Sequence, residues 1–310
     1  MVTTSNGIDI LTGQPPPNYQ FSYQQNLYHL PEYLQCQPAL PDYSYHLIDQ
    51  QLQTVKGVIH FHRQQEQWIS QLYAPFGSFQ GEWISKAAIE AVIKIFEHKL
   101  NASGGEQIIL NHPAPCYQQD LWGEVLTTNG YVVRRRINHH ILVDNDSLVD
   151  KMHQMEKRKL ARGSRFAFTV HPHTDLSELY EFIVGCRNER GQTLSMSLDE
   201  LKQVVMALPE RFLLCSVNLN GRLAAASVII KVNPKCWYQF YPAHSKLFNR
   251  DSPLVLLISE LYQLAKSQGG RIIDLGTSEV NGNPIEGLLT FKDRIGGTRS
   301  IQCTYSKTFL

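Results

Sequence analysis

The chain has 310 residues, of which 43% are hydrophobic and 18% charged, with a net charge of +1. That describes a globular protein long enough for two domains, without the charge excess that draws a protein to DNA or anionic surfaces or the apolar run of about 18 residues that a spanning helix needs. The opening MVTTSNGIDI lacks the basic-then-apolar pattern of an export signal, and the six cysteines form no CxxC pair, so the expectation is a cytoplasmic chain with reduced thiols.

Residues 1–26 are polar, carry Pro15-Pro16-Pro17 and read as an irregular arm that Tyr19, Phe21 and Tyr23 pin to the body. Tyr45–Asp49 and Gly57–Arg63 read as two strands joined by a turn, and Trp68–Ala74 as a third. A helix from about Glu82 to Leu100 follows, its apolar positions Ile84, Ala88, Ala91, Val92, Ile95 and Phe96 recurring at helical spacing. Asn101 to Gly105 stop it, and Gln107–Leu110 is the next strand. Further on, Phe212–Asn218 and Leu223–Val232 form a hairpin around Asn220-Gly221, and Lys235–Tyr241 is a strand. Ser252 caps a helix with Pro253 at its first position, Gly269-Gly270 end it, and Arg271–Leu275 is a strand.

The two series have the same order. Trp68 and Trp237 open equivalent strands, and GGEQIIL at Gly104–Leu110 answers GGRIIDL at Gly269–Leu275. Two copies at so long a period mean tandem domains rather than a solenoid. The expected division is an arm over 1–26, a first domain over 27–147 and a second over 148–310, which carries the chemistry.

A hairpin, then strand, helix and strand, resembles the central unit of the acyl-CoA N-acyltransferase (GNAT) fold, and two in tandem resemble the Fem family of aminoacyltransferases. The basic stretch Met155–Arg165, GGRIIDLG at Gly269–Gly276, Phe291-Lys292 before Arg294-Ile295-Gly296-Gly297, and Gly130-Tyr131 with Ile141–Asp144 carry the likeness. It implies an α/β protein of two GNAT-like domains, each a mixed sheet flanked by helices. It also implies an N-acyltransferase moving an acyl or aminoacyl group to the amine of a small molecule or peptide, with no tightly bound cofactor. The donor it implies is an acyl-CoA co-substrate or an aminoacyl-tRNA. Lys246–Pro253 has no glycine where CoA-binding members carry a Gln/Arg-x-x-Gly-x-Gly/Ala loop, which weighs toward the tRNA ester. The alternatives are a non-catalytic small-molecule or peptide binder on the same scaffold, since fold does not fix function, or a tRNA-binding module.

Asn249, Arg250 and Ser252 sit at a helix N-terminus, where backbone N–H groups and the dipole favour an anion; a capped surface turn with a solvated arginine explains them as well. Arg158, Arg162 and Arg165 share one face of a basic helix, either a phosphate or tRNA contact or a solvated face. Lys292 is placed either as an oxyanion or donor-phosphate contact or as an exposed helix lysine beside core Phe291. Asp274, inside an apolar strand, is either a base for the amine or an acceptor for backbone donors at the strand end, with Glu279 beyond it as a second base. Tyr241 is a proton donor to the leaving group and His244 a base, while Tyr238 reads as core. Arg187, Asn188 and Arg190 precede a loop, Gly191–Ser197, that closes over an acceptor or simply follows a helix C-terminus. The pairs His60/His62, His139/His140 and His171/His173 lack a third ligand nearby, so no metal is expected.

Overall fold

The computed structural model describes residues 2–3, 8–82, 85–118, 120, 122–280 and 282–309. The chain divides into two compact units, Met1–Arg136 with Ile301–Leu310, and Ile137–Ser300.

In the first unit the arm is not irregular throughout. β1 (Ile8–Thr12) runs antiparallel to β2 (Tyr43–Asp49), burying Ile10 in the core, and Gln20–Phe21 lies parallel to β3 (Thr54–Gln64). β2 pairs with β3, and β3 with β4 (Gln67–Ser70), all antiparallel. β4 ends at Ser70, short of the expected Ala74, because Gln71 turns to a left-handed φ of 51°. Helix α1 (Lys86–Ala102) begins after Ser85, whose hydroxyl accepts from the Ala88 N–H, a cap worth about 1 kcal/mol. Residues 83–84, with the expected apolar position Ile84, lie outside the described residues. Ala88, Ile89, Val92, Ile93, Phe96 and Leu100 form its buried face. β5 (Gln107–Asn111) then lies parallel to β4 with Trp68 beside Ile108, and Thr304–Thr308 pair antiparallel with β5.

The repeated glycine pair has a packing cause. Gly104 has φ 78°, which ends α1 at little steric cost. A Cβ on Gly105 would stand 2.1 Å from Trp68 Nε1, which donates to Leu100 O at 3.0 Å.

The second unit repeats this plan. Residues 137–142 of β6 (Val132–Leu142) belong to it. Helix α2 (Gln154–Arg162) leads to β7 (Ala167–His171), and helices α3 (Leu176–Asn188) and α4 (Leu198–Ala207) precede the sheet core. β7, β8 (Phe212–Leu219), β9 (Arg222–Lys231) and β10 (Cys236–His244) pair antiparallel in that order. Helix α5 (Pro253–Ser267) crosses to β11 (Ile272–Thr277), which is parallel to β10 with Trp237 beside Ile273 and antiparallel to β6. Val255, Ile258, Leu261, Tyr262 and Ala265 of α5 pack on Trp237, Ile273 and Ile141. Gly269, at φ 78°, stops the helix, and a Cβ on Gly270 would meet Ala265 O at 3.1 Å and Trp237 Nε1 at 3.3 Å. Helix α6 (Glu286–Arg294) follows β11. Among the described residues no helix is long and apolar enough to cross a membrane.

Candidate active site

Two parallel strands with a helical crossover stay together only while their ladder lasts. β10 and β11 are registered over three positions, Cys236 with Ile272, Trp237 with Ile273 and Tyr238 with Asp274. β10 then continues against β9 alone, with an irregularity opposite Ser227 where Tyr241 takes φ 54°. β11 breaks register against β6 between Asp274 and Gly276, and Gly276 has φ 72°. A gap bounded by a kink on each strand opens beyond Tyr238 and Asp274. A tyrosine in left-handed backbone costs of order 1–3 kcal/mol and persists only where its surroundings hold it.

On the β11 side, Asp274 is buried, and its Oδ1 accepts from Asn138 Nδ2 and from the Gly276 N–H, both at 2.8 Å. Lys292, on α6, is also buried, and its Nζ donates to Gly276 O at 2.8 Å and Thr277 O at 2.9 Å. The kink is therefore held on its donor side by a carboxylate and on its acceptor side by an ammonium. Burial pulls the Lys292 pKa down to about 8, against the nearby Asp274 charge. Lys292 is thus a buried helix residue rather than an exposed one, and Asp274 does meet a backbone donor at the strand end. His140 lies opposite Asp274; burial lowers its pKa while the Asp274 charge raises it. Below them, His139 Nε2 meets Asp293 Oδ1 at 3.1 Å, and Arg299 forks onto the same carboxylate.

On the β10 side, Tyr241 is buried and its hydroxyl accepts from the Met196 N–H at 2.9 Å and pairs with Ser195 Oγ at 2.6 Å. Desolvation pushes this phenol above its ordinary pKa, so it stays protonated at neutral pH. The Gly191–Ser197 loop thus rests on the kinked tyrosine. Arg187 donates to Pro242 O at 2.8 Å and Gln192 Oε1 at 2.7 Å. Arg190 donates to Cys186 O at 2.7 Å and lies 3.2 Å from His244 Nε2, which is also 3.0 Å from Asn249 Oδ1. Burial, then Arg190, hold the His244 pKa below its usual value. His244 therefore joins the loop after α3 to the loop before α5. Tyr238, expected to be core, is half-buried, and its ring stands over Gly276, whose added Cβ would lie 3.3 Å from it.

The residues expected to meet an anion stand at the start of α5 and on α2. Ser252 occupies the N-cap of α5 but makes no side-chain cap bond; its φ is 49° and its hydroxyl donates back to Asn249 O. Pro253 brings no N–H, and the Val255 N–H returns to Ser252 O. Asn249 and Arg250 are exposed, as are Arg158 and Arg162. The basic run ends against this loop. Arg165 pairs with Asp251, Phe166 meets Phe248 edge-on at 5.7 Å, and Gly163 faces Leu256. Glu279 is not on an irregular loop; it pairs with Pro284 in a short antiparallel ladder. Among the described residues no group of three His, Cys, Asp or Glu side chains is placed to hold a metal ion.

Asp274 and Lys292 thus hold the β11 wall of the opening and Tyr241 the β10 wall, Arg190 and His244 meet further along β10, Asn249, Arg250 and Ser252 stand before α5, and Arg158 and Arg162 lie exposed on α2. The sequence does not single out Asn138, or Ser195 within the loop Gly191–Ser197, and Tyr238, expected to be core, is half-buried. An amide inside the polar run Asn138–His140 carries no spacing signal, and contacts such as Ser195 with Tyr241 join residues far apart in the chain.

Residues 151–287 match the family model described as an acetyltransferase (GNAT) domain. No curated protein matches the chain by sequence. Among solved structures, FemX superposes with a TM-score of 0.70 at 12% identity, covering 92% of this chain and 93% of that one. The L-PGS from Bacillus licheniformis gives 0.57 at 15% identity, covering 81% and 80%. A tandem GNAT protein from the clavulanic acid biosynthesis pathway gives 0.51 at 10% identity, covering 86% and 82%. The fold is that of two tandem GNAT-like domains and resembles FemX.

Proposed function

We propose that the second unit is an N-acyltransferase in which an acceptor amine attacks the carbonyl of an acyl or aminoacyl donor lodged where β10 and β11 part. The observation that carries the reading is that opening itself, a parallel pair released after three registered residues with a kink on each wall, inside the segment matched by the acetyltransferase (GNAT) domain model. Acyl transfer needs a positioned amine, a proton acceptor, donors for the oxyanion and a proton for the leaving group. Backbone N–H groups around the Tyr241–Ala243 kink serve the oxyanion, a role that needs no side chain. Asp274 takes the amine proton as the C–N bond forms. Tyr241 gives its hydroxyl proton to the departing sulfur or oxygen as the C–S or C–O bond breaks, and Ser195, at 2.6 Å, relays a replacement. Lys292 acts by position, fixing the carbonyls of Gly276 and Thr277. Arg250, Asn249 and Ser252, with Arg158 and Arg162, meet the donor's phosphates. Glu279 and His244 flank the acceptor.

Thermal melting with acetyl-CoA, longer acyl-CoAs and free CoA tests this, because a ligand of the folded state raises the midpoint with concentration. A saturable rise that Arg250→Ala weakens identifies a CoA thioester donor. Salt-sensitive retention of aminoacyl-tRNA, lost in the double variant Arg158→Ala/Arg162→Ala, identifies the ester donor. With neither, the reading fails and the scaffold is a non-catalytic binder.

A further inference from the structure

Arg187 lies in the last turn of α3 and Arg190 follows it by three residues, so the two guanidiniums reach the same side of the β10 kink. Both are half-buried. Among the described residues neither forms an ion pair; their partners are carbonyls, the Gln192 amide and a histidine nitrogen. Arg187 Nε is buried and has no acceptor at all. Desolvation and the neighbouring Arg190 push the Arg187 pKa down, and the Tyr238 and Tyr241 side chains lie near it. Two like charges taken out of water together, with no anion between them, are costly unless a counter-charge arrives.

We infer that Arg187 and Arg190 bind the carboxylate of an acidic ligand beside Tyr238 and Tyr241, and that the acceptor is an amine that also carries a carboxylate, such as an amino acid or a peptide end. The acceptor assignment rests on the transfer reading above; the carboxylate site does not. A planar guanidinium fork matches a carboxylate edge. Lys246, in the loop before α5, donates to Glu189 O, and a phosphate probe separates the two classes of anion. The site also faces the Gly191–Ser197 loop, which Arg187 ties through Gln192 and Tyr241 ties through Ser195 and Met196. An arriving carboxylate therefore meets the same residues that hold the kink.

The test uses the whole chain and three probes. These are N-acetylglycine, a carboxylate without a free amine; glycinamide, an amine without a carboxylate; and inorganic phosphate. N-acetylglycine is expected to raise the melting midpoint saturably at millimolar concentration. Its apparent Kd should weaken at least about tenfold in Arg190→Gln and in Arg187→Gln, the scale of one lost charged contact. Glycinamide and phosphate should do little, and Arg222→Gln, on the exposed β8–β9 turn, should bind as the parent does. If Arg187→Gln does not fold for want of its bond to Pro242, Arg190→Gln decides. The absence of a saturable carboxylate effect overturns the site, as does an effect that both variants keep. A phosphate effect at least as strong overturns the carboxylate class. Carboxylate binding without transfer from any donor leaves this site standing and removes the acyltransferase reading alone.

Discussion

The two repeats lay down the same strands and then treat the end of the parallel pair in opposite ways. In the first unit β4 stops at Ser70, and Gln71, at φ 51°, donates its side-chain amide to Tyr28 O. Leu27, Tyr28, Phe76 and Phe79 are buried around it, and a Cβ on Gly77 would strike the Gln71 side chain. In the second unit β10 runs on past a kink at nearly the same φ, and its outer face, Tyr238, Phe240, Pro242 and His244, stays half-open. A left-handed residue after the registered tryptophan thus belongs to the shared frame. What differs is occupancy: protein fills the first position, and polar groups border the second. The same scaffold serves as a filled support in one copy and as a candidate site in the other.

The shared frame is the easiest part to break. Trp68 and Trp237 are both almost fully buried. Trp68→Ala and Trp237→Ala should each cost roughly 3–5 kcal/mol in denaturant unfolding; a near-neutral result at either would deny the equivalence. The difference between the copies is sharpest at Lys292. Lys292→Met should lower turnover about a hundredfold, the scale of misplacing a reacting group, here Asp274 beside the β11 kink. Full activity in that variant would show that the kink on β11 does not serve the reaction. The glycine locks separate the copies again. Gly105→Ala forces contact with the Trp68 ring and should cost about 2 kcal/mol, whereas Gly270→Ala, with contacts no closer than 3.1 Å, should cost less.

Proton linkage gives two pH windows, an acid one to which buried imidazoles of both units contribute and an alkaline one set by Lys292. His29, His46 and His60 are buried in the first unit, and His29 and His46 lie 5.3 and 6.0 Å from His60 between ring centroids. Burial holds the His29 pKa down to about 3 and the His46 pKa to about 4, and that of His60 well below its usual value. The unfolded chain binds protons at these sites from about pH 6.5, so stability is lost as pH falls from there toward 4. The slope is about 1.4 kcal/mol per pH unit for each imidazole. Lys292 adds an alkaline window in the second unit. Its folded pKa is about 8 against an ordinary 10.5, so the unfolded state holds more protons between those values and stability rises with pH across them. Denaturant midpoints followed by pH, with His46→Gln and Lys292→Met as references, separate the two windows. A flat profile between pH 6.5 and 4 would mean the imidazoles are not held neutral.

The order of elements was legible because it rests on local rules. Alternation marks a half-buried strand, a 3.6-residue period marks α1 and α5, and a glycine pair after a helix marks its stop. The tandem reading followed from those marks occurring twice, and the anion-binding candidates from residue type at a helix start. Lys292 stood out through the family resemblance, but nothing local says that its ammonium is buried against two carbonyls of another element. Asn138 was passed over because it reaches Asp274 across 136 positions of chain. Ser252 looked like a cap, but its left-handed backbone turns the hydroxyl back to Asn249. Residue type and period decide which segments become strands and helices, because those choices depend on neighbours in sequence. Which strands part, which copy is filled and which charges are left without partners depend on contacts between distant residues, and those exist only once the sheet has formed.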